Sequence, residues 1–120
     1  MSDIHDLGNR GEDLAVSHLA GKGYRILERN WKFGKEEVDI IAETDNEVIF
    51  TEVKTRKSSY FGAPEAFVNR AKQRIIIRAA NAYILRHNIH KEARFDVIGV
   101  ILNSTERALT HLEGAFAPGL

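Results

Sequence analysis

Four side chains in one short stretch carry the chemistry worth arguing about: Glu37 and Asp39 before a turn, Glu52 and Lys54 after it. Thr44-Asp45-Asn46-Glu47 lies between them and is a tight-turn sequence, because Asp and Asn tolerate the backbone such a turn needs. With the turn centred between Asp45 and Asn46, Asp39 faces Glu52 and Glu37 faces Lys54. Directly opposed residues have Cβ atoms about 4.5–5.5 Å apart. Strand alternation then puts Glu37, Asp39, Glu52 and Lys54 on one face, with Val38, Ile40, Ile49 and Val53 as core on the other. Two opposed carboxylates repel, and one tends to keep its proton unless a cation sits between them. Few ligands, all hard oxygens, point to Mg²⁺ or Mn²⁺ and away from zinc. Lys54 would orient or deprotonate an attacking water, or stabilise charge building on a phosphate. A surface hairpin laced with cross-strand ion pairs has the same spacing, so the pattern alone leaves both readings open.

A third acid comes from an earlier segment. Ala15, Val16 and Leu19 form an apolar stripe that predicts a helix over about Asn9–Lys22, closed by Gly21 and Gly23. Glu12 shares that stripe, at spacings of three, four and seven. A carboxylate in a first turn gains about 0.3–1 kcal/mol from the helix dipole; the functional reading is a group that reaches a metal or its waters. Asp13 falls on the exposed face and is expected to be replaceable.

Positive charge gathers further along. Residues 54–94 hold 10 basic and 2 acidic side chains, against 6 basic and 12 acidic in residues 1–53, so zero net charge conceals two oppositely charged stretches. That division suits a protein holding metal in one place and phosphate in another, and also suits two solvated surfaces. Arg70, Arg74 and Arg78 make one ridge on a helix predicted over Arg70–His87, whose core stripe is Ile75, Ile76, Ala79, Ala82 and Tyr83. Lys72 lies nearer the stripe, and Arg56 and Lys57 follow Lys54 at the strand end. Tyr60 and Phe61 interleave with this charge, as loop anchors or as platforms for a stacked base.

The elements that position these groups follow from periodicity. Strands are predicted over Tyr24–Phe33, Glu37–Ala42, Glu47–Lys54, Ala93–Leu102 and Arg107–Leu112. A polar loop covers 55–63, a short helical turn lies near Pro64–Val68, and Gly114–Leu120 reads as a loose tail. The order α-β-β-β-α-β-β predicts an α/β fold with a mixed sheet and a helix on each side. The 120 residues fit one domain, with its core over about 8–113. No apolar run approaches the ~18–20 residues of a membrane span. The start, Met-Ser-Asp-Ile-His-Asp, lacks a basic and apolar leader pattern, so a cytoplasmic protein without membrane contact is expected. The absence of cysteine excludes disulfides, a thiolate zinc site and a Cys nucleophile. The five histidines show no common ligand spacing, and Ser58 and Ser59 lie in no nucleophile elbow. Trp31 reads as a packing residue.

Taken in order, Gly11-Glu12 with Leu14-Ala15, Gly23-Tyr24, Asn30-Trp31, Glu37-Val38-Asp39-Ile40-Ile41, Phe50-Thr51-Glu52-Val53-Lys54-Thr55-Arg56, Phe61-Gly62, Lys72 and Arg94-Phe95-Asp96-Val97 resemble the YraN family of small bacterial proteins over roughly residues 8–113. That family is similar to the PD-(D/E)xK superfamily, with its restriction-endonuclease-like fold, and archaeal Holliday junction resolvases look like its nearest characterised relatives. The resemblance places the superfamily's helix acid on Glu12, its strand Asp on Asp39, and its Glu-x-Lys on Glu52 and Lys54. Glu36 stands where the family usually has Gly, which should alter the strand's approach and not the ligands. It implies a Mg²⁺-dependent nuclease hydrolysing phosphodiester bonds, on DNA in preference to RNA, with branched or damaged DNA as candidate substrates. Asp39, Glu52 and Glu12 would hold the metal, with Glu37 as a further ligand or as Lys54's partner. Arg56 and Lys72 would contact phosphate, with Arg70, Arg74 and Arg78 as further nucleic-acid contacts. A homodimer would suit a symmetric junction. The alternative is a non-catalytic nucleic-acid-binding module or an interaction subunit of a larger complex.

Overall fold

A computed structural model describes residues 3–59 and 62–118, so Tyr60 and Phe61 lie outside the described residues. The order is helix α1 (Asp3–Gly21), strands β1 (Arg25–Phe33), β2 (Glu36–Glu43) and β3 (Glu47–Arg56), a 3₁₀ turn (Pro64–Phe67), helix α2 (Arg70–Arg86), and strands β4 (Glu92–Leu102) and β5 (Arg107–Phe116). This is the expected α-β-β-β-α-β-β arrangement. The strands form one sheet in chain order, antiparallel except where β3 pairs in parallel with β4. The connection through α2 returns the chain to the same end of the sheet, which a parallel pair requires.

Each face of the sheet has its own core. Ala15 and Leu19 of α1 pack with Ile40, Ile98, Val100 and Leu102. Ile76, Ala79, Ala80 and Tyr83 of α2 pack with Val38, Ile41, Phe50 and Phe95 on the other side. Trp31 lies against Tyr83 edge-to-face, as a packing residue. Helix α1 begins six residues before the predicted start. Its inward stripe runs from half-buried Leu7 through buried Gly11, Ala15 and Leu19, and a glycine in that stripe carries no hydrophobic signal. Gly11 is needed there, because a Cβ would overlap the side chain of Thr55. The helix ends with Gly23 at φ +89° and a hydrogen bond from Tyr24 N to Leu19 O, a left-handed stop that favours glycine.

Two expectations need correction. The segment from Gly114 is not a loose tail: β5 runs on to Phe116, which pairs with Phe95 and stacks on it at 5.3 Å. Gly114, at φ +59°, lies within a register shift of the β4–β5 ladder, so the glycine marks a bulge and not the strand's end. Val38 and Ile40 do not share a face; they belong to opposite cores. The cause is a break in the β1–β2 ladder. It pairs Arg29 with Ile40 and Trp31 with Val38 but omits Asn30 and Asp39 between them, and Asn30 is left-handed at φ +53°. The strict alternation of strand side chains fails at Asp39.

Candidate active site

The β2–β3 hairpin has the predicted register. Glu43 pairs with Val48, Ala42 with Ile49, Ile41 with Phe50 and Ile40 with Thr51. The ladder then stops, one position short of Asp39 and Glu52. At the point where the strands part, Asp39 Oδ2 accepts the backbone N–H of Val53 at 2.8 Å, supplying the partner that β2's backbone no longer provides. The Asp39 and Glu52 carboxyls lie within hydrogen-bonding reach of each other.

Glu52 is 5% exposed. Its Oε1 is buried with no hydrogen-bond partner among the described residues, and its Oε2 stands 3.6 Å from Lys72 Nζ. Burial first, and the charge of Asp39 second, push the Glu52 carboxyl up to about 8, against the pull of Lys72 and Lys54. Burial also raises Asp39, reinforced by the charge of Glu12 and opposed by the Val53 N–H and by Lys72. Without a cation the pair therefore shares a proton near neutral pH. An unpartnered buried oxygen beside a second carboxylate is what a hard divalent cation would satisfy, so the residues present fit Mg²⁺ or Mn²⁺.

Glu12 stands on the wall of a cleft of about 370 Å³ that also carries Asn9, Asn30, Glu37, Asp39 and Thr55. Its carboxylate is held by Arg29, whose Nε and Nη2 donate to Oε1 at 3.2 and 3.0 Å, and by Asn30, whose Nδ2 donates to both oxygens at 3.0 Å. The left-handed backbone of Asn30 thus serves the site: it aims the amide at the helix acid. Arg29 also binds Asp13 at 2.8 Å, so the residue expected to be replaceable shares its neighbour's partner. Among the described residues no three acidic or histidine side chains are grouped closely enough to hold an ion by themselves. Asp39 and Glu52 form the pair, and Glu12 does not join them in this arrangement.

The cations and Glu37 are distributed differently. Lys54 is half-buried on β3, with its charge felt at Glu52. The expected facing of Glu37 and Lys54 does not form, because the ladder has ended by then. Glu37 pairs instead with Lys32, directly across β1–β2, at 2.5 Å. Lys72, from the first turn of α2, reaches both Glu52 and Glu36, the latter at 4.0 Å. Arg56 is exposed at the end of β3, and Arg70, Arg74 and Arg78 are exposed along α2, the helix on the far side of the sheet from α1.

One polar cluster has no counterpart among the sequence motifs. Asp96, fully buried on β4, accepts from Arg94, from His111 Nε2 at 2.7 Å and from the Gly114 N–H. His111 Nδ1 meets His18 Nε2 at 3.1 Å. Burial would raise Asp96, but these hydrogen bonds outweigh it and hold the carboxyl below its usual range. Burial and the adjacent His111 hold His18 below the usual imidazole range. Residues 93 positions apart meet here, a proximity that no local spacing encodes.

Fold and site together define an α/β protein of restriction-endonuclease-like arrangement, with a carboxylate pair where two central strands separate. The chain belongs to the uncharacterised protein family UPF0102, the YraN family its motifs resemble, and the family's model matches residues 11–100. It is 46% identical to a UPF0102 protein of Flavobacterium psychrophilum, over 97% of this chain and 98% of the relative. It is 42% identical to one of Phocaeicola vulgatus, over 98% of each chain. A UPF0102 protein of Myxococcus xanthus is 38% identical over 99% of this chain and 95% of its own. Among the described residues no helix is long and apolar enough to cross a membrane.

Proposed function

We propose that the protein is a metal-dependent phosphodiesterase acting on nucleic acid, DNA before RNA. The observation that supports this most is the buried Asp39–Glu52 pair, with an unpartnered Glu52 oxygen behind a cleft that Asp39 lines. Asp39 and Glu52 hold the ion, and the Val53 N–H fixes the Asp39 carboxylate in place. Bound Mg²⁺ or Mn²⁺ supplies positive charge against the phosphate oxygens as the bond breaks. Lys54 orients the attacking water, and Lys72 neutralises charge beside Glu52. Glu12 completes the acidic wall and, clamped by Arg29 and Asn30, keeps a fixed negative charge there.

A panel of linear, nicked, flap and four-way DNA, with RNA alongside, tests this in Mg²⁺ and in Mn²⁺. Wild-type protein cleaves at least one substrate, and Asp39→Ala and Glu52→Ala abolish that cleavage while remaining folded. Cleavage that survives Glu52→Ala sinks the assignment. The engagement of Glu12 by Arg29, away from the pair, favours a second reading as a nucleic-acid-binding module or interaction subunit. In that case the panel is bound and left uncut.

A further inference from the structure

Among the described residues seven cations stand in ion pairs with carboxylates: Lys22, Arg25, Arg29, Lys32, Lys72, Lys91 and Arg94. Arg10, Lys57 and Arg107 stand in none of these pairs, nor do Arg70, Arg74 and Arg78 on α2; what sets the first three apart is where they lie. Among the described residues none of the three pairs with a carboxylate within 4.0 Å, although Asp6 shares the groove with two of them. They also share a location. A groove of about 960 Å³ runs between the first turns of α1 and the outer ends of β3 and β4, with Asn9, Arg10, Lys57, Asn103 and Ser104 on its walls. Beyond Arg10 it meets a smaller hollow of about 180 Å³ that carries Arg107 and Ser17. It also shares Leu7 and Asn9 with the wall of the Asp39 cleft, so cleft and groove adjoin along α1.

The rim is built. Asn103 Nδ2 donates to Lys57 O at 2.7 Å, and Asn103 Oδ1 accepts from Thr105 N at 2.9 Å, which ties the end of β3 to the β4–β5 turn. The close approach of Gly11 to Thr55 holds α1 against β3 and so sets the spacing between Arg10 and Lys57. Unpaired cations flanked by amide and hydroxyl groups, in a groove adjoining the cleft that Asp39 lines, match a polyanion whose charges recur along its length.

We infer that this groove is the track for the backbone of a single nucleic-acid strand leaving the cleft, with Arg10 and Lys57 each taking a phosphate and Arg107 extending the track. The inference rests on the phosphodiesterase reading and adds to it a direction for the substrate. It places the strand on the α1 side of the sheet, and not on the arginine ridge of α2.

Binding is tested apart from cleavage, in EDTA, by fluorescence anisotropy with the full chain and a labelled single-stranded oligodeoxynucleotide. An oligoribonucleotide of the same sequence and inorganic polyphosphate form the other arms. Arg10→Gln with Lys57→Gln should weaken oligonucleotide binding at least tenfold. It should also flatten the dependence of log affinity on log salt by about 1.4, at about 0.7 for each single-strand phosphate that is no longer neutralised. Arg10→Lys with Lys57→Arg should restore both. Arg25→Gln, at the other end of β1 from the cleft, should bind within twofold of wild type. Unchanged affinity and slope in the Gln pair overturn the track, as does a weakening produced by Arg74→Gln with Arg78→Gln in its place. Polyphosphate that binds as tightly as the oligonucleotides overturns the assignment to a nucleic-acid strand. If Glu52→Ala leaves cleavage intact while the Gln pair loses binding, the metal reading falls and the track stands.

Discussion

Mg²⁺ binding should expel a proton. The perturbation is the ion itself, added to metal-free protein at several pH values. Glu52 is pushed up to about 8 by burial and by Asp39, so at pH 7 about nine-tenths of metal-free molecules carry the pair's proton. Both carboxylates must be ionised to hold the ion, so binding releases about 0.9 proton at pH 7 and about 0.1 at pH 9. Affinity should rise nearly tenfold for each pH unit below 8, or about fiftyfold from pH 6 to pH 8. Titration calorimetry in two buffers of different protonation enthalpy reads the proton count directly. The same shift makes a stability statement in EDTA. A carboxyl whose folded pKa is raised contributes stability that is complete below about 4.5 and is lost as pH rises through about 8. The metal-free protein should therefore lose a few kcal/mol between pH 5 and pH 9, at about 1.4 kcal/mol for each pKa unit. Glu52→Gln should be nearly flat over that range and more stable than wild type at pH 9. Binding without proton release at pH 7, or a Glu52→Gln variant that melts in parallel with wild type, would refute the reasoning.

Other outcomes follow from packing and charge. Gly11→Ala drives a Cβ into Thr55 and should cost about 1–3 kcal/mol in urea denaturation; adding Thr55→Ala removes the two nearest atoms, leaves the Cβ of residue 55 at 2.9 Å, and should recover part of the loss. A Gly11→Ala variant as stable as wild type would contradict the close approach of α1 to β3. Asp96→Asn takes one carboxylate from Arg94, which keeps Glu47, and the buried acceptor from His111, and should cost about 1–3 kcal/mol by thermal melting. Because Asp96 is held below its usual range, that contribution is present above about pH 4 and fades as pH falls further, so wild type and variant should converge in acid.

The hairpin register is legible in Asp45 and Asn46 alone, because turn chemistry sets which residues face each other. The element order is equally accessible, since β-branched runs and a helical stripe are local patterns. What escapes a reading of the sequence depends on neighbours distant in the chain. Glu37 belongs to Lys32 because β2 stays with β1 after leaving β3, and a two-strand argument cannot see the third strand. The break in alternation at Asp39 arises opposite a left-handed Asn30 that carries no special spacing. The position of Lys72 beside the apolar stripe points it toward the active face, but its reach to Glu52 follows from where α2 crosses the sheet. The His18–His111–Asp96 cluster joins α1, β5 and β4, and only the assembled sheet brings them together.

The most direct test is anomalous diffraction from crystals soaked in Mn²⁺ at pH 8. One strong peak is expected, bound by an oxygen of Asp39 and an oxygen of Glu52 at about 2.0–2.3 Å from each, and lost in Glu52→Gln. A peak elsewhere, or no peak between those carboxylates at saturating Mn²⁺, would contradict a metal held by this pair.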